Sequence, residues 1–154
     1  MTSGVIDRRA ALAQDRGMTN SSVSTRATVE EFLARRLEGD PERTAALFAG
    51  TVDWLIAENP AVPWIRPRST RADVADHWRD LAAGVAPDEG NSVESFVVDG
   101  AEAVLTGWLA GTVRFTGKSF RVPFAMRLTV EDGLITRFHV YEDSLAVAAA
   151  CEAS

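Results

Sequence analysis

Two glutamates fall where strands predicted to line a pocket come to an end. Glu142 closes the last predicted strand and shares a face with Phe138 and Val140, while Glu58 follows the first predicted strand. Burial beside apolar side chains raises the pKa of a carboxyl group and suits it to proton transfer. The two glutamates are therefore candidates for an acid and base pair. The alternatives are that Glu142 is solvated at the strand end and that Glu58 is a solvated loop residue.

A histidine is the third candidate for proton transfer. His77 lies between Val74 and Leu81 on a predicted helix, beside its apolar stripe. An imidazole near its ordinary pKa exchanges protons at neutral pH, although a structural histidine of the core or surface is the alternative. His139 and Tyr141 fall on the outer face of the last strand, where we expect them to pack across a dimer interface.

Aromatic side chains are candidates for the walls of a pocket. Four tryptophans are many for 154 residues, and large aromatic side chains often line ligand sites. They would suit a flat or polycyclic ligand, with Trp64 of a proline-rich loop as a lid, whereas Trp78 is well explained as core. The predicted substrate-binding residues are Trp54, Ile56, Asn59, Trp64, Trp108, Phe124, Met126, Phe138 and Val140.

Three helices, five strands and a short terminal helix are predicted to position these residues. Residues 1–24 hold few apolar anchors and are expected to form a flexible tail, with one domain over residues 25–154. Predicted strands cover 51–57, 92–98, 103–115, 119–130 and 134–142, and a terminal helix covers 145–151. The expected helix starts are Thr25 or Thr28, then Pro41, then Ser69 or Thr70 as a cap, and finally Asp143 or Ser144 as a cap.

Short turns and strict alternation predict how the strands are arranged. Asp99-Gly100 and Asp132-Gly133 are typical of hairpin turns. Along 119–130, alternate residues are apolar, so one face of that strand is expected to meet the helices. The predicted fold class is therefore α+β, with a curved antiparallel β-sheet wrapped around helices to form a cone-shaped pocket.

Composition excludes several classes of partner. The net charge of −6 argues against nucleic acid, which requires a basic face. No apolar run is long enough for a membrane span, so no membrane association is expected. The single cysteine and the absence of a Cys/His cluster predict no metal site, no cofactor and a cytoplasmic location.

Two segments resemble the NTF2-like superfamily, and its SnoaL-like members in particular. They are Leu47-Phe48-Ala49 leading into residues 51–54, and the ending at residues 132–143, which carries a similar "DG-x-I…Y-x-D" pattern. The likeness covers about residues 26–146. It implies the cone-shaped fold, and it leaves open isomerases, polyketide cyclases, dehydratases, epoxide hydrolases and non-catalytic binders.

The catalytic groups of particular members are not matched. The position of the ketosteroid isomerase base falls on Trp54, that of its oxyanion aspartate on Met126, and the helix of its tyrosine carries Phe32. Limonene-type epoxide hydrolases need an Arg-x-Asp pair, which residues 103–113 lack, and an aspartate where Val140 stands. Scytalone-type dehydratases place paired histidines in the pocket, whereas His139 is expected outside it.

The sequence thus predicts a cofactor-independent enzyme that acts on a hydrophobic small molecule by general acid/base proton transfer. Resemblance to SnoaL-like cyclases implies an isomerase, cyclase or dehydratase of secondary metabolism. A non-catalytic carrier, an epoxide-hydrolase-like enzyme with a non-standard site, and an interaction domain that uses the outer sheet face are the alternatives. A homodimer through that outer face is expected.

Overall fold

The first helix is long, and its part from Thr25 onward packs on the sheet. The computed structural model describes residues 3–154, with side chains from residue 20 onward, and helix α1 spans Ser3–Glu38. The prediction that this helix begins at Thr25 or Thr28 is wrong, since the Thr28 hydroxyl donates to the Ser24 carbonyl inside the helix. The Thr25 hydroxyl donates to the Gly100 carbonyl over 2.7 Å. The predicted domain boundary at residue 25 stays a prediction.

Two shorter helices begin at the predicted positions. Helix α2 covers Pro41–Ala45, and the Asp40 carboxylate accepts hydrogen bonds from the first-turn amides. Helix α3 covers Arg71–Gly84, and Thr70 and Asp73 form a reciprocal capping box at its start. These side chains satisfy amides that a helix leaves without partners, so local sequence fixes both helix starts.

Six strands form one curled, mixed sheet. They are β1 Phe48–Ile56, β2 Val85–Pro87, β3 Ser92–Asp99, β4 Glu102–Val113, β5 Ser119–Glu131 and β6 Leu134–Glu142, and helix α4 follows at Ser144–Cys151. The order is β1-β6-β5-β4-β2, with β3 also paired to β4. The α+β fold is confirmed, but the wholly antiparallel sheet is not: β1 pairs with β6 in parallel. The short strand β2 was not predicted.

The predicted turns and faces of the hairpins are confirmed. Gly100 and Gly133 adopt φ of 58° and 76°, a conformation that glycine reaches without steric cost. On β5 the residues that face the helices, such as Val122 and Leu128, are buried, whereas Arg121 is exposed. The predicted cap Asp143 accepts a hydrogen bond from the Ala146 amide at the start of α4.

Two apolar clusters form the core. The larger lies between the sheet and helices α1 and α3, and the smaller lies under α4 and the loop after β1. The larger includes Phe32, Phe48, Val74, Leu128 and Phe138. The larger cluster occupies the interior of the cone, where the sequence predicts a pocket.

No helix in the described part of the chain is both long and apolar enough to cross a membrane.

Candidate functional site

A small cavity lies at the ends of the two parallel strands. Its volume is about 140 Å³, and it is lined by Leu55, Ile56, Ala57, Val140, Tyr141, Glu142 and Ser144. Ile56 and Val140 are partners in the β1–β6 register and form its apolar wall. An apolar cavity of about 150 Å³ holds a benzene-sized molecule. The cavity therefore fits a single ring rather than the flat polycyclic ligand that the tryptophans suggested.

Glu142 is the acidic residue of this cavity. It is the last residue of β6 and is partly buried. Burial raises the pKa of its carboxyl group above the ordinary glutamate value, because removal from water disfavours the charged form. The carboxyl group can therefore hold a proton near neutral pH more readily than a solvated glutamate can.

Glu58 is not brought to this cavity. Its side chain is exposed in the loop after β1, and it is absent from the cavity lining. The next residue, Asn59, is buried and donates from its Nδ2 to the Ser144 carbonyl over 2.9 Å. Asn59 therefore ties this loop to the start of α4, and the predicted pairing of Glu58 with Glu142 is not formed.

His77 is deep in the core rather than at the mouth of a pocket. Its side chain is 4% exposed, and its Nδ1 lies 3.2 Å from the Trp64 carbonyl oxygen. A carbonyl can only accept, so Nδ1 carries the hydrogen and Nε2 is the unprotonated nitrogen. Burial, assisted by the charge of Arg68, lowers the pKa of His77 to about 3. The expected proton shuttle with an ordinary imidazole pKa is therefore wrong.

Aromatic rings fill the interior of the cone. The Trp54 ring stacks on Phe138 with centroids 4.7 Å apart, and it meets the edge of His77 at 4.8 Å. Phe32, Phe48 and Trp78 surround the same rings. Of the predicted pocket walls, Trp54 and Phe138 therefore contact each other, and only Ile56 and Val140 line the cavity. Phe124 and Met126 pack in the larger core cluster.

Two tryptophans occupy places other than those predicted. Trp64 is 5% exposed and packs in the smaller core cluster, with its ring against Gly84, so it is not a lid. Trp108 projects from the opposite side of β4 to the buried Leu105. Its Nε1 donates to Glu94 over 2.9 Å, and the Arg121 guanidinium lies 4.0 Å above its ring. Trp108 is therefore on the outer face and does not line the cavity.

The outer face of β1 and β6 carries an ionic network. The Asp53 carboxylate accepts from His139 Nε2 over 3.0 Å and from Arg137 Nε over 2.9 Å. These hydrogen bonds hold the pKa of the Asp53 carboxyl below its usual range. Tyr141 is 53% exposed beside them. The outer position of His139 is confirmed, and the dimer through this face stays a prediction.

Sequence reasoning missed several lining residues. Leu55 and Tyr141 alternate out of the inner face, but residues of both faces line the cavity at the strand ends. The sequence held a signal for these lining residues, since both strands end beside turn or cap residues. The described residues contain no group of three or more His, Cys, Asp or Glu placed to hold a metal ion. The arrangement offers one carboxyl group against an apolar wall, which suits transfer of a proton to or from a small ligand.

Comparison with known proteins identifies the family to which this fold is similar. Residues 29–138 match the family of the SnoaL-like domain, and no curated protein sequence matches the chain. The chain is similar to an NTF2-like protein from Burkholderia xenovorans, with 23% identity and a TM-score of 0.75 over 85% of this chain and 98% of that one.

Two further solved structures share the fold. A candidate polyketide cyclase from Xanthomonas campestris is 17% identical, with a TM-score of 0.68 over 86% of this chain and 99% of that one. A candidate isomerase from Bacillus subtilis is 20% identical, with a TM-score of 0.66 over 84% of this chain and 94% of that one. At these identities the likeness shows a shared fold.

Proposed function

The chain belongs to the SnoaL-like domain family, and on that premise we propose that it is a cofactor-independent enzyme that moves a proton on a small hydrophobic molecule. Glu142 is the proposed acid and base, and Ile56 and Val140 hold the apolar part of the substrate. An isomerase or a cyclase is the proposed reaction type. The similar folds of the candidate polyketide cyclase and the candidate isomerase support that choice.

One observation carries the proposal, namely the environment of Glu142. The carboxyl group lines the apolar cavity, and burial raises its pKa. General acid/base catalysis works best when the pKa of the group lies near the working pH. The ionised form would accept a proton from a carbon next to a carbonyl group, and the protonated form would return a proton to another atom of the substrate. Glu58 and His77 are not part of the proposal, because one is exposed and the other is a weak base.

Deuterium exchange tests this proposal without knowledge of the natural substrate. The full chain is incubated in D₂O with single-ring cyclic ketones, and ¹H NMR follows loss of the protons next to the carbonyl. We expect exchange catalysed by the wild type and reduced about 10²- to 10⁴-fold in Glu142→Gln. Glu131→Gln is the matched control, because Glu131 is an exposed glutamate at the end of β5. Equal exchange in wild type and Glu142→Gln would contradict the proposal.

A non-catalytic carrier is the second candidate. It is favoured by the cavity lining, in which Glu142 is the one carboxyl group and no histidine stands beside it. Saturable binding of the ketones, with no exchange above the buffer rate and equal affinity in Glu142→Gln, would support the carrier instead.

A further inference from the structure

A second set of polar groups lies around the aromatic rings of the larger core cluster. We call it the donor cluster, and it consists of Arg36, Trp54, Arg68, His77 and Trp78. The Arg36 guanidinium lies 4.0 Å above the Trp78 ring, and burial lowers its pKa. Among side chains described from residue 20 onward, Arg36 makes no ion pair. Arg36 is partly buried, and an arginine that loses water without gaining a counter-ion is costly, so an anion beside it would stabilise the folded chain.

Buried N–H groups of the same cluster also lack acceptors. They are Trp54 Nε1, Trp78 Nε1 and Arg68 Nε, none of which has a hydrogen-bond partner among the described residues. Trp78 is 6% exposed, and so is the Arg68 side chain. A buried donor without a partner costs about 1–3 kcal/mol. Each of these groups would be satisfied by an oxygen atom that accepts a hydrogen bond.

These residues meet around His77. The rings of Trp54 and Trp78 lie 4.8 and 4.6 Å from the imidazole ring. The Trp64 carbonyl accepts both from His77 Nδ1 and from Arg68 Nη2, at 3.2 and 3.4 Å. Among the side chains described from residue 20 onward, the one carboxylate that forms an ion pair with this set is that of Asp80, which pairs with Arg68 over 2.7 Å. His77 Nε2 offers one acceptor, but the three unpartnered N–H groups and the charge of Arg36 exceed what the described acceptors of the cluster compensate.

The donor cluster adjoins the cavity. Trp54 is the inner-face neighbour of Ile56, and positions two apart on a strand are separated by roughly 7 Å. Ile56 lines the cavity with Glu142. An anionic group held beside Trp54 would thus leave the rest of a small ligand directed toward the apolar wall and the Glu142 carboxyl group.

We propose that the donor cluster binds a carboxylate, so that the molecule held in the cone is a small hydrophobic acid. The proposal rests on the function proposed above in placing the apolar part of the ligand in the cavity beside Glu142. A bound water molecule could satisfy one or two N–H groups, but it would not neutralise Arg36. A carboxylate does both, since it accepts several hydrogen bonds and carries the opposite charge.

Binding of a matched pair of probes tests the proposal. Cyclohexanecarboxylate and the neutral cyclohexanecarboxamide have nearly the same shape, and ¹H–¹⁵N NMR of the full chain reports the indole N–H groups. Trp54→Phe and Trp78→Phe assign those peaks. We expect the carboxylate to bind at least 10-fold more tightly than the amide and to move the Trp54 and Trp78 indole peaks.

Substitution of one arginine isolates the charge. Arg36→Gln should remove the preference for the carboxylate. The matched control is Arg26→Gln, because Arg26 also lies on α1 with its guanidinium over a ring, at 4.2 Å from Phe96, and is not part of the donor cluster. The control should keep the preference of the wild type. If Arg36→Gln does not fold, the wild-type probes and Trp78→Phe still decide the question.

The outcomes separate this inference from the proposed enzyme activity. Equal affinity for both probes, or no movement of the two indole peaks with either probe, overturns carboxylate binding even if ketone exchange still depends on Glu142. A carboxylate preference that is lost in Arg36→Gln supports the inference even if the chain catalyses no exchange.

Discussion

Replacing His77 should change how the stability of the protein depends on pH. The imidazole is buried and neutral, with a pKa lowered from 6.5 to about 3 by burial. As the pH falls below 6.5, the unfolded chain takes up a proton on this residue and the folded chain does not. The stability contributed by neutral His77 is therefore present above pH 6.5 and is lost progressively as the pH falls toward 3.

The size of the effect follows from the two pKa values. A tenfold change in ionisation constant corresponds to about 1.4 kcal/mol. Between pH 7.5 and pH 5.0, His77 should cost the folded state about 2 kcal/mol, out of a total stability that is typically about 5–15 kcal/mol. This pH range lies above the ordinary carboxyl pKa values, so most of the acidic side chains contribute little to the change.

Urea denaturation of three proteins at the two pH values measures this contribution. His77→Asn keeps an N–H group near the Trp64 carbonyl but cannot take up a proton, so its free energy of unfolding should change about 2 kcal/mol less than that of the wild type. His139→Asn removes the other histidine, retains His77, and should keep the loss. The reasoning is refuted if His77→Asn and the wild type lose equal stability on acidification.

Three further predictions concern stability. Glu142→Gln should gain stability relative to the wild type as the pH rises from 4 to 7.5, because the raised pKa of Glu142 makes the wild type lose stability on ionisation in that range. Urea denaturation of both proteins at the two pH values measures this difference, and a parallel pH dependence would contradict the prediction. Gly107→Ala should lower the free energy of unfolding by roughly 3 kcal/mol or more, since the added Cβ would lie 1.9 Å from the Ser92 carbonyl oxygen. Gly50→Ala is the control, because its added Cβ has no atom within 4 Å, and it should change the thermal midpoint little. Thr70→Ala should cost about 1 kcal/mol through loss of the α3 cap, and an unchanged urea midpoint would exclude that role.

Features set by neighbouring residues were predictable from the sequence. Thr70 and Asp73 stand three residues apart at a helix start, and Gly133 follows Asp132 in a two-residue turn. The inner position of Glu142 followed from alternation along one strand. These features depend on contacts within a few residues, so the local pattern contains them.

Features set by distant residues were not predictable from a single sequence. Strand β1 joins β6 in parallel across more than 80 residues, for instance at Trp54 and Phe138. The prolines of the loop suggested that Trp64 is exposed. Its ring instead packs on Gly84 at the end of α3, 20 residues further along the chain. Arg36 follows a helical pattern typical of a solvated face, and only the structure shows that it is partly buried with its guanidinium over the Trp78 ring.

The most direct test of the account is a titration of the Glu142 carboxyl group. Its ¹³C resonance, assigned by its absence in Glu142→Gln, is followed with pH in the full chain, and the exchange rate of a cyclic ketone is measured over the same range. We predict a midpoint above the ordinary value of 4.5, with the exchange rate rising at the same pH as the carboxyl group ionises. A midpoint at or below 4.5, or an exchange rate that does not follow the ionisation, would contradict the assignment of Glu142 as the acid/base group.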